Sequence, residues 1–141
     1  MDTYMKPKIL LIDDDVDLVA INRAAFEHAG FEVDVAYDSP GGYERFDAFR
    51  PDVTIVDLAI EYFDSGFILC HKLDLHPHGQ KTKLIMLTSA GHETGYRFSI
   101  ETSEERKWIK VDYYLEKPIS PLDLVRFVSD KVLKLHEEPA Y

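Results

Sequence analysis

Four short apolar runs each end in a residue that can do chemistry, and that repetition leaves few folds open to the chain. Val53-Thr54-Ile55-Val56 runs into Asp57, and Ile9-Leu10-Leu11-Ile12 into Asp13-Asp14. Leu84-Ile85-Met86-Leu87 ends in Thr88, and Val111-Asp112-Tyr113-Tyr114-Leu115-Glu116 ends in Lys117. Short apolar runs rich in strand-forming residues suit strands buried on both faces. The stretches between them carry helical spacing. Alternating strand and helix signals imply repeated βα units around a parallel sheet. In open parallel sheets, ligands and chemistry collect at the C-terminal strand ends. Three acids, a hydroxyl and a cation are thus delivered to one sheet edge.

The expected elements follow in order. A strand at about 8–13 precedes a helix at about 16–29, whose Leu18, Ile21, Ala25 and Ala29 share a face. Asp15 suits its N-cap and Gly30 its stop. In the strand at 31–36, Phe31, Val33 and Val35 alternate with Glu32 and Asp34, which suggests a place near the sheet edge. Ser39-Pro40 reads as N-cap and first residue of a helix to about 49. Gly41 and Gly42 weaken that helix by up to ~1 kcal/mol each, so Tyr43, Phe46 and Phe49 must compensate by packing. Pro51 leads into the strand at 53–57. A Gly-containing loop at 58–66, a helix at about 67–75 and a strand at 83–88 follow. The segment 89–110 is the least regular, with helical character near 102–108. A strand at 111–116 and a helix at 121–135 complete five βα units. Ser120, Pro121 and Asp123 suit the start of that last helix. Val125, Val128, Val132 and Leu135 form its expected buried stripe.

The 141 residues suit one domain, 1–141, with a core at about 7–136. At 45% hydrophobic residues the chain can build a real core. A formal net charge of −10 argues against a nucleic-acid surface, which needs clustered Lys and Arg. Cys70 is the single cysteine, so no intramolecular disulfide forms, and a buried apolar role is expected for it. No apolar run reaches the ~20 residues of a membrane helix, and the N-terminus lacks a signal-peptide core. The expected compartment is the cytoplasm.

Three carboxylates at one edge repel one another unless a cation intervenes. A hard divalent ion such as Mg²⁺ takes oxygen ligands and keeps some waters, so Asp13, Asp14 and Asp57 suggest a Mg²⁺ site. Mg²⁺ commonly accompanies phosphate. Asp57 can act as nucleophile and form an acyl phosphate, Lys117 can neutralise one phosphoryl oxygen, and the Thr88 hydroxyl can donate to another. Each residue alone has a plainer reading: a solvated turn with a helix cap, a loop cap, a structural hydroxyl, an exposed lysine. All four in order at successive strand ends favour a shared site.

These segments resemble the receiver domain of response regulators in bacterial two-component signalling. The matching pieces are Lys8–Asp15, Pro51–Leu58, Leu84–Ala90 and Tyr114–Pro118, and the resemblance spans about 7 to 136. It implies an α/β, flavodoxin-like (βα)5 three-layer sandwich with parallel strand order 2-1-3-4-5. By resemblance, Asp57 is the phospho-acceptor, and Asp13 and Asp14 hold Mg²⁺ together with Asp57 and the Ala59 backbone carbonyl. Thr88 is the switch hydroxyl, Tyr114 the switch aromatic, Lys117 the phosphate-pairing lysine, and Lys117-Pro118 a cis bond. The implied donor is a sensor histidine kinase or a phosphotransfer protein. With no output domain after residue 135, the chain reads as a stand-alone receiver that contacts a downstream protein; a homodimer through the last helices is left open. It would catalyse only its own phosphorylation and dephosphorylation.

Two departures stand out. Glu61 replaces the Pro that usually lies four residues after the acceptor, and Tyr62-Phe63 follow it. The stretch from Thr88 to Lys117 is longer than usual, with Lys110-Val111-Asp112 in place of Gly-Ala-Asp. Two alternatives remain at this point. A degenerate receiver would act as a phosphorylation-independent binding module. A haloacid-dehalogenase-like phosphatase would read Asp13-Asp14-Asp15 as Asp-x-Asp, but offers only Asp123 and Asp130 for its later acids. His71, His76 and His78 lack the spacing of a closed zinc site, and Trp108 suits a core or an interface.

Overall fold

The computed structural model describes residues 6–57, 65–88 and 111–135. Expectations for Ala59, Glu61, Tyr62, Phe63, Trp108 and the segment 89–110 lie outside the described residues. Five strands form one parallel sheet: β1 (Lys8–Ile12), β2 (Glu32–Ala36), β3 (Val53–Asp57), β4 (Lys83–Thr88) and β5 (Tyr113–Glu116). Their spatial order is β2-β1-β3-β4-β5. This is the flavodoxin-like order expected above, and β2 is indeed at an edge.

Strand alternation sends successive side chains to opposite faces, which splits the core in two. Ile9, Leu11, Val53, Ile55, Ile85 and Leu87 face one side. There they meet Phe26 of α1 (Val16–His28) and Leu124 and Val128 of the final helix, α4 (Pro121–Arg126) with its π-helical continuation Phe127–Val132. Leu10, Ile12, Val56, Leu84 and Met86 face the other side. They pack with Phe46 of α2 (Ser39–Phe49) and with Leu69, Cys70 and Leu73 of α3 (Ser65–Leu75). Each such large side chain contributes roughly 1.5–3 kcal/mol by leaving water. Cys70 is a core residue, and burial pushes its thiol up to about 12.

Three local expectations need correcting. The buried stripe of α1 is Val19, Asn22 and Phe26, while Ile21 is 55% exposed and Ala29 lies beyond the helix. Phe26 decides the phase, because its ring meets Phe31 edge-on at 5.0 Å. The N-cap of α2 is Asp38, one residue earlier than Ser39, and it accepts a bond from the Gly41 N–H at 2.7 Å. Leu135 is 49% exposed because the final helix ends at Val132 and Lys134 turns to φ 56.

Gly42 has a packing reason that composition hides. A Cβ there would meet Ile12 Cδ1 at 2.8 Å and Leu69 Cδ2 at 3.3 Å. The glycine lets α2 sit close on β1, and β1 carries the first acid of the edge described next.

Candidate functional site

Parallel pairing aligns the strand ends. Ile12 pairs with Val56, Asp57 with Leu87, and Thr88 with Glu116. Asp13 directly follows β1, Asp57 and Thr88 close β3 and β4, and Lys117 directly follows β5. Asp13, Asp57 and Thr88 are buried at 6%, 4% and 7% exposure. The Lys117 N–H donates to the Thr88 carbonyl at 2.7 Å, which carries the β4–β5 ladder one step past the strand. The Lys117-Pro118 peptide is cis, as expected.

Two of the expected residues are in direct contact. Lys117 Nζ donates to Asp57 Oδ2 at 2.7 Å. Asp13 lies beside this pair, near enough for the Asp57 charge to act on it. Asp13 Oδ1 accepts from the Asp15 N–H at 3.0 Å. Asp15 in turn caps α1 through the Leu18 N–H at 3.1 Å, so the acidic turn is pinned from both sides. Asp14, between them, is exposed and makes no hydrogen bond to Asp57 among the described residues. Thr88 sits one strand over from Asp57. Tyr114 is half-buried on the α2–α3 face of β5, opposite to Tyr113 and Leu115.

The electrostatics follow from burial. Asp13 is pushed up to about 6, first by burial and then by the neighbouring Asp57 charge, against the opposing pull of the Asp15 N–H and Lys117. Burial by itself works against the Lys117 ammonium. The hydrogen bond and charge of Asp57, with Asp13 and Asp15 behind it, outweigh that and hold Lys117 above the ordinary lysine range. The edge thus carries excess negative charge that one lysine does not fully offset.

Mg²⁺ typically binds through one or two carboxylates and keeps several waters. Asp13 and Asp57 supply such a pair of hard oxygen donors, and the raised proton affinity of Asp13 marks a place where a cation would be favoured. Among the described residues no set of three His, Cys, Asp or Glu side chains is placed to hold an ion. Among the described residues, a metal at this edge would find that pair of carboxylates, with waters completing its shell.

His76 and His78 do structural work. His76 Nδ1 accepts from the His78 N–H at 2.9 Å, which leaves Nε2 to donate to Asp47 at 2.8 Å. His78 Nε2 donates to the Pro51 carbonyl at 2.8 Å. The acids that a dehalogenase-like site would need, Asp123 and Asp130, are exposed on the final helix.

The response regulator receiver domain family model matches residues 9–129. The chain belongs to that family. It is 31% identical over 118 residues to the uncharacterized transcriptional regulatory protein YclJ of Bacillus subtilis (strain 168), covering 84% of this chain and 47% of that protein. The chain therefore spans about half the length of that relative. An uncharacterized 14.6 kDa protein of Leptolyngbya boryana is 28% identical over 133 residues, covering 94% of this receiver and 95% of its own length. The chemotaxis response regulator CheY4 of Vibrio cholerae has the same fold, with a TM-score of 0.74 at 24% identity over 89% of this chain and 98% of that one. Receivers of this family generally bind Mg²⁺ at their acidic site and interact with histidine kinases and downstream effectors. Among the described residues, no helix is long and apolar enough to cross a membrane.

Proposed function

We propose that Asp57 accepts a phosphoryl group from a phosphohistidine donor, and that the acyl phosphate switches the surface around β4 and β5. The observation that carries this is the 2.7 Å bond from Lys117 Nζ to a nearly buried Asp57 at a strand end. A carboxylate oxygen of Asp57 attacks phosphorus. The O–P bond forms as the N–P bond of the donor breaks, and the electron pair leaves on the imidazole nitrogen. Lys117 then neutralises a phosphoryl oxygen instead of the free carboxylate, which stabilises charge that shifts during transfer. Mg²⁺ would be held by Asp13 and Asp57, with Asp14 and the Ala59 carbonyl as further proposed ligands, and would supply further neutralisation of the phosphoryl oxygens.

Thr88 is the proposed switch hydroxyl. Its donation to the phosphoryl group moves the end of β4, and Tyr114 on the neighbouring strand repacks in response. Phosphate thereby biases a two-state element already present in the fold. Residues 1–141 act as a single receiver unit in the cytoplasm. The donor is a sensor histidine kinase or a phosphotransfer protein, and the signal passes to a protein partner. The net charge of −10 disfavours direct nucleic-acid contact by this chain.

Incubation with acetyl phosphate and Mg²⁺ tests the assignment. The wild type is expected to become labelled, and Asp57→Asn to remain unlabelled. Equal labelling of both proteins would move the acceptor elsewhere.

A further inference from the structure

Asp112 lies directly before β5, at the end of the sheet away from the acceptor, and it ties the start of β5 to the start of β4. The Leu84 N–H donates to Asp112 Oδ2 at 2.8 Å, and the Asp112 N–H donates to the Leu84 carbonyl at 2.9 Å. At the other end of the same ladder Lys117 donates its N–H to the Thr88 carbonyl at 2.7 Å and its Nζ to Asp57. Where β5 starts against β4 therefore decides where Lys117 arrives.

β5 needs such a tie more than the inner strands do. It has four residues and lies at the sheet edge, paired with β4 alone. Its side chains are half-buried or exposed, whereas β3 is buried throughout and β4 is buried after its first residue. A well-buried face is what normally fixes register. Residues 89–112 separate β4 from β5, and a long connection restrains its ends only weakly. A slip of two residues would keep each side chain on its own face. It would also carry Lys117 by roughly 7 Å and break its bond to Asp57.

Asp52 makes the same arrangement one strand pair away. The Lys8 N–H donates to Asp52 Oδ2 at 2.8 Å, and the Asp52 N–H donates to the Lys8 carbonyl at 2.8 Å. There it is redundant. β3 lies between β1 and β4, and the Lys83 N–H donates to the Asp52 carbonyl at 2.9 Å as well. The two aspartates have the same chemistry, but only Asp112 holds a strand with little else to fix it.

We propose that Asp112 is a positioning residue for the acceptor site: its carboxylate sets the register of β5 on β4 and thereby brings the Lys117 ammonium to Asp57. The effect on phosphorylation rests on the reading that Asp57 is the acceptor. The Lys117–Asp57 contact is readable without phosphate.

Asp112 is exposed, so Asp112→Ala leaves both halves of the core intact. In the ¹⁵N-labelled full chain, with no phosphodonor or Mg²⁺, the Lys117 ammonium held by Asp57 is expected to exchange slowly enough to give its own cross peak. Asp112→Ala is expected to lose that peak and to be labelled by acetyl phosphate and Mg²⁺ roughly 10- to 100-fold more slowly. Asp112→Asn keeps an acceptor oxygen for the Leu84 N–H and is expected to recover most of both. Asp52→Ala is expected to lower the urea midpoint about as much as Asp112→Ala, yet to keep the Lys117 peak and the labelling rate. A Lys117 peak that survives in Asp112→Ala would overturn the proposal. So would its equal loss in Asp52→Ala, which would trace it to stability alone, or a failure of Asp112→Asn to restore it. If the wild type is not labelled at all, the acceptor reading fails, and the Lys117 peak still decides whether Asp112 positions the lysine.

Discussion

Asp13 is the residue whose chemistry depends most on its neighbours. Its carboxyl rises from an ordinary 3.8 to about 6 in the folded chain, chiefly through burial. Between those values the native state holds a proton that the unfolded state has released. Metal-free stability is therefore expected to fall as pH rises from about 4 to about 6, and Asp13 should contribute no further slope above that. The loss is on the order of 1–3 kcal/mol, read from urea midpoints across the window. Asp13→Asn should flatten the slope; an unchanged slope would mean that Asp13 is not the titrating group. Lys117 works in the opposite sense. Lys117→Met leaves two acids facing each other with no cation and is expected to destabilise the metal-free protein by about 1–3 kcal/mol at neutral pH, with added Mg²⁺ recovering part of the loss. The placement of Asp13 and Lys117 at the sheet edge was legible in the sequence because an apolar run of known length places its terminal residue. The burial of Asn22 on the α1 stripe was not, because counting apolar spacing passes over a polar residue.

Helix α2 shows how an element can be right in kind and wrong in detail. Asp38 and Ser39 are both good N-caps, and spacing cannot choose between them; the Asp38 carboxylate makes the bond to Gly41. Helix α1 was assigned the wrong face for a related reason. Ile21 and Phe26 cannot both lie on the buried stripe, and the edge-on contact of Phe26 with Phe31 decides for Phe26. Gly42 looked like a helix weakness, yet it permits the contact with Ile12. Gly42→Ala is expected to destabilise by about 1 kcal/mol, despite the better helix propensity of Ala, because the new methyl meets Ile12 Cδ1. Ile12→Val removes that atom, so the double variant should be more stable than the sum of the two single changes predicts. Strict additivity of the unfolding free energies would contradict the contact.

The whole molecule joins the site to the surface through one sheet. Strand order follows from the run of βα units, which is why the fold was readable before any contact was known. The acidic edge was readable for the same reason: parallel strands bring their C-terminal ends together whatever the helices contain. Which acid of the Asp13-Asp14-Asp15 turn faces inward was not, since that depends on Asp15 capping α1 and bonding back to Asp13. If phosphate acts through Thr88, phosphorylation should shift the amides of Thr88 and Tyr114 far more than those of β2, and Thr88→Ala should suppress the change at Tyr114. The acceptor itself is tested by mass spectrometry of the wild-type chain after incubation with acetyl phosphate and Mg²⁺, with fragmentation to locate the modification. One added phosphoryl group on Asp57 is the predicted result. An unmodified chain, or a phosphoryl group on any other residue, would contradict it.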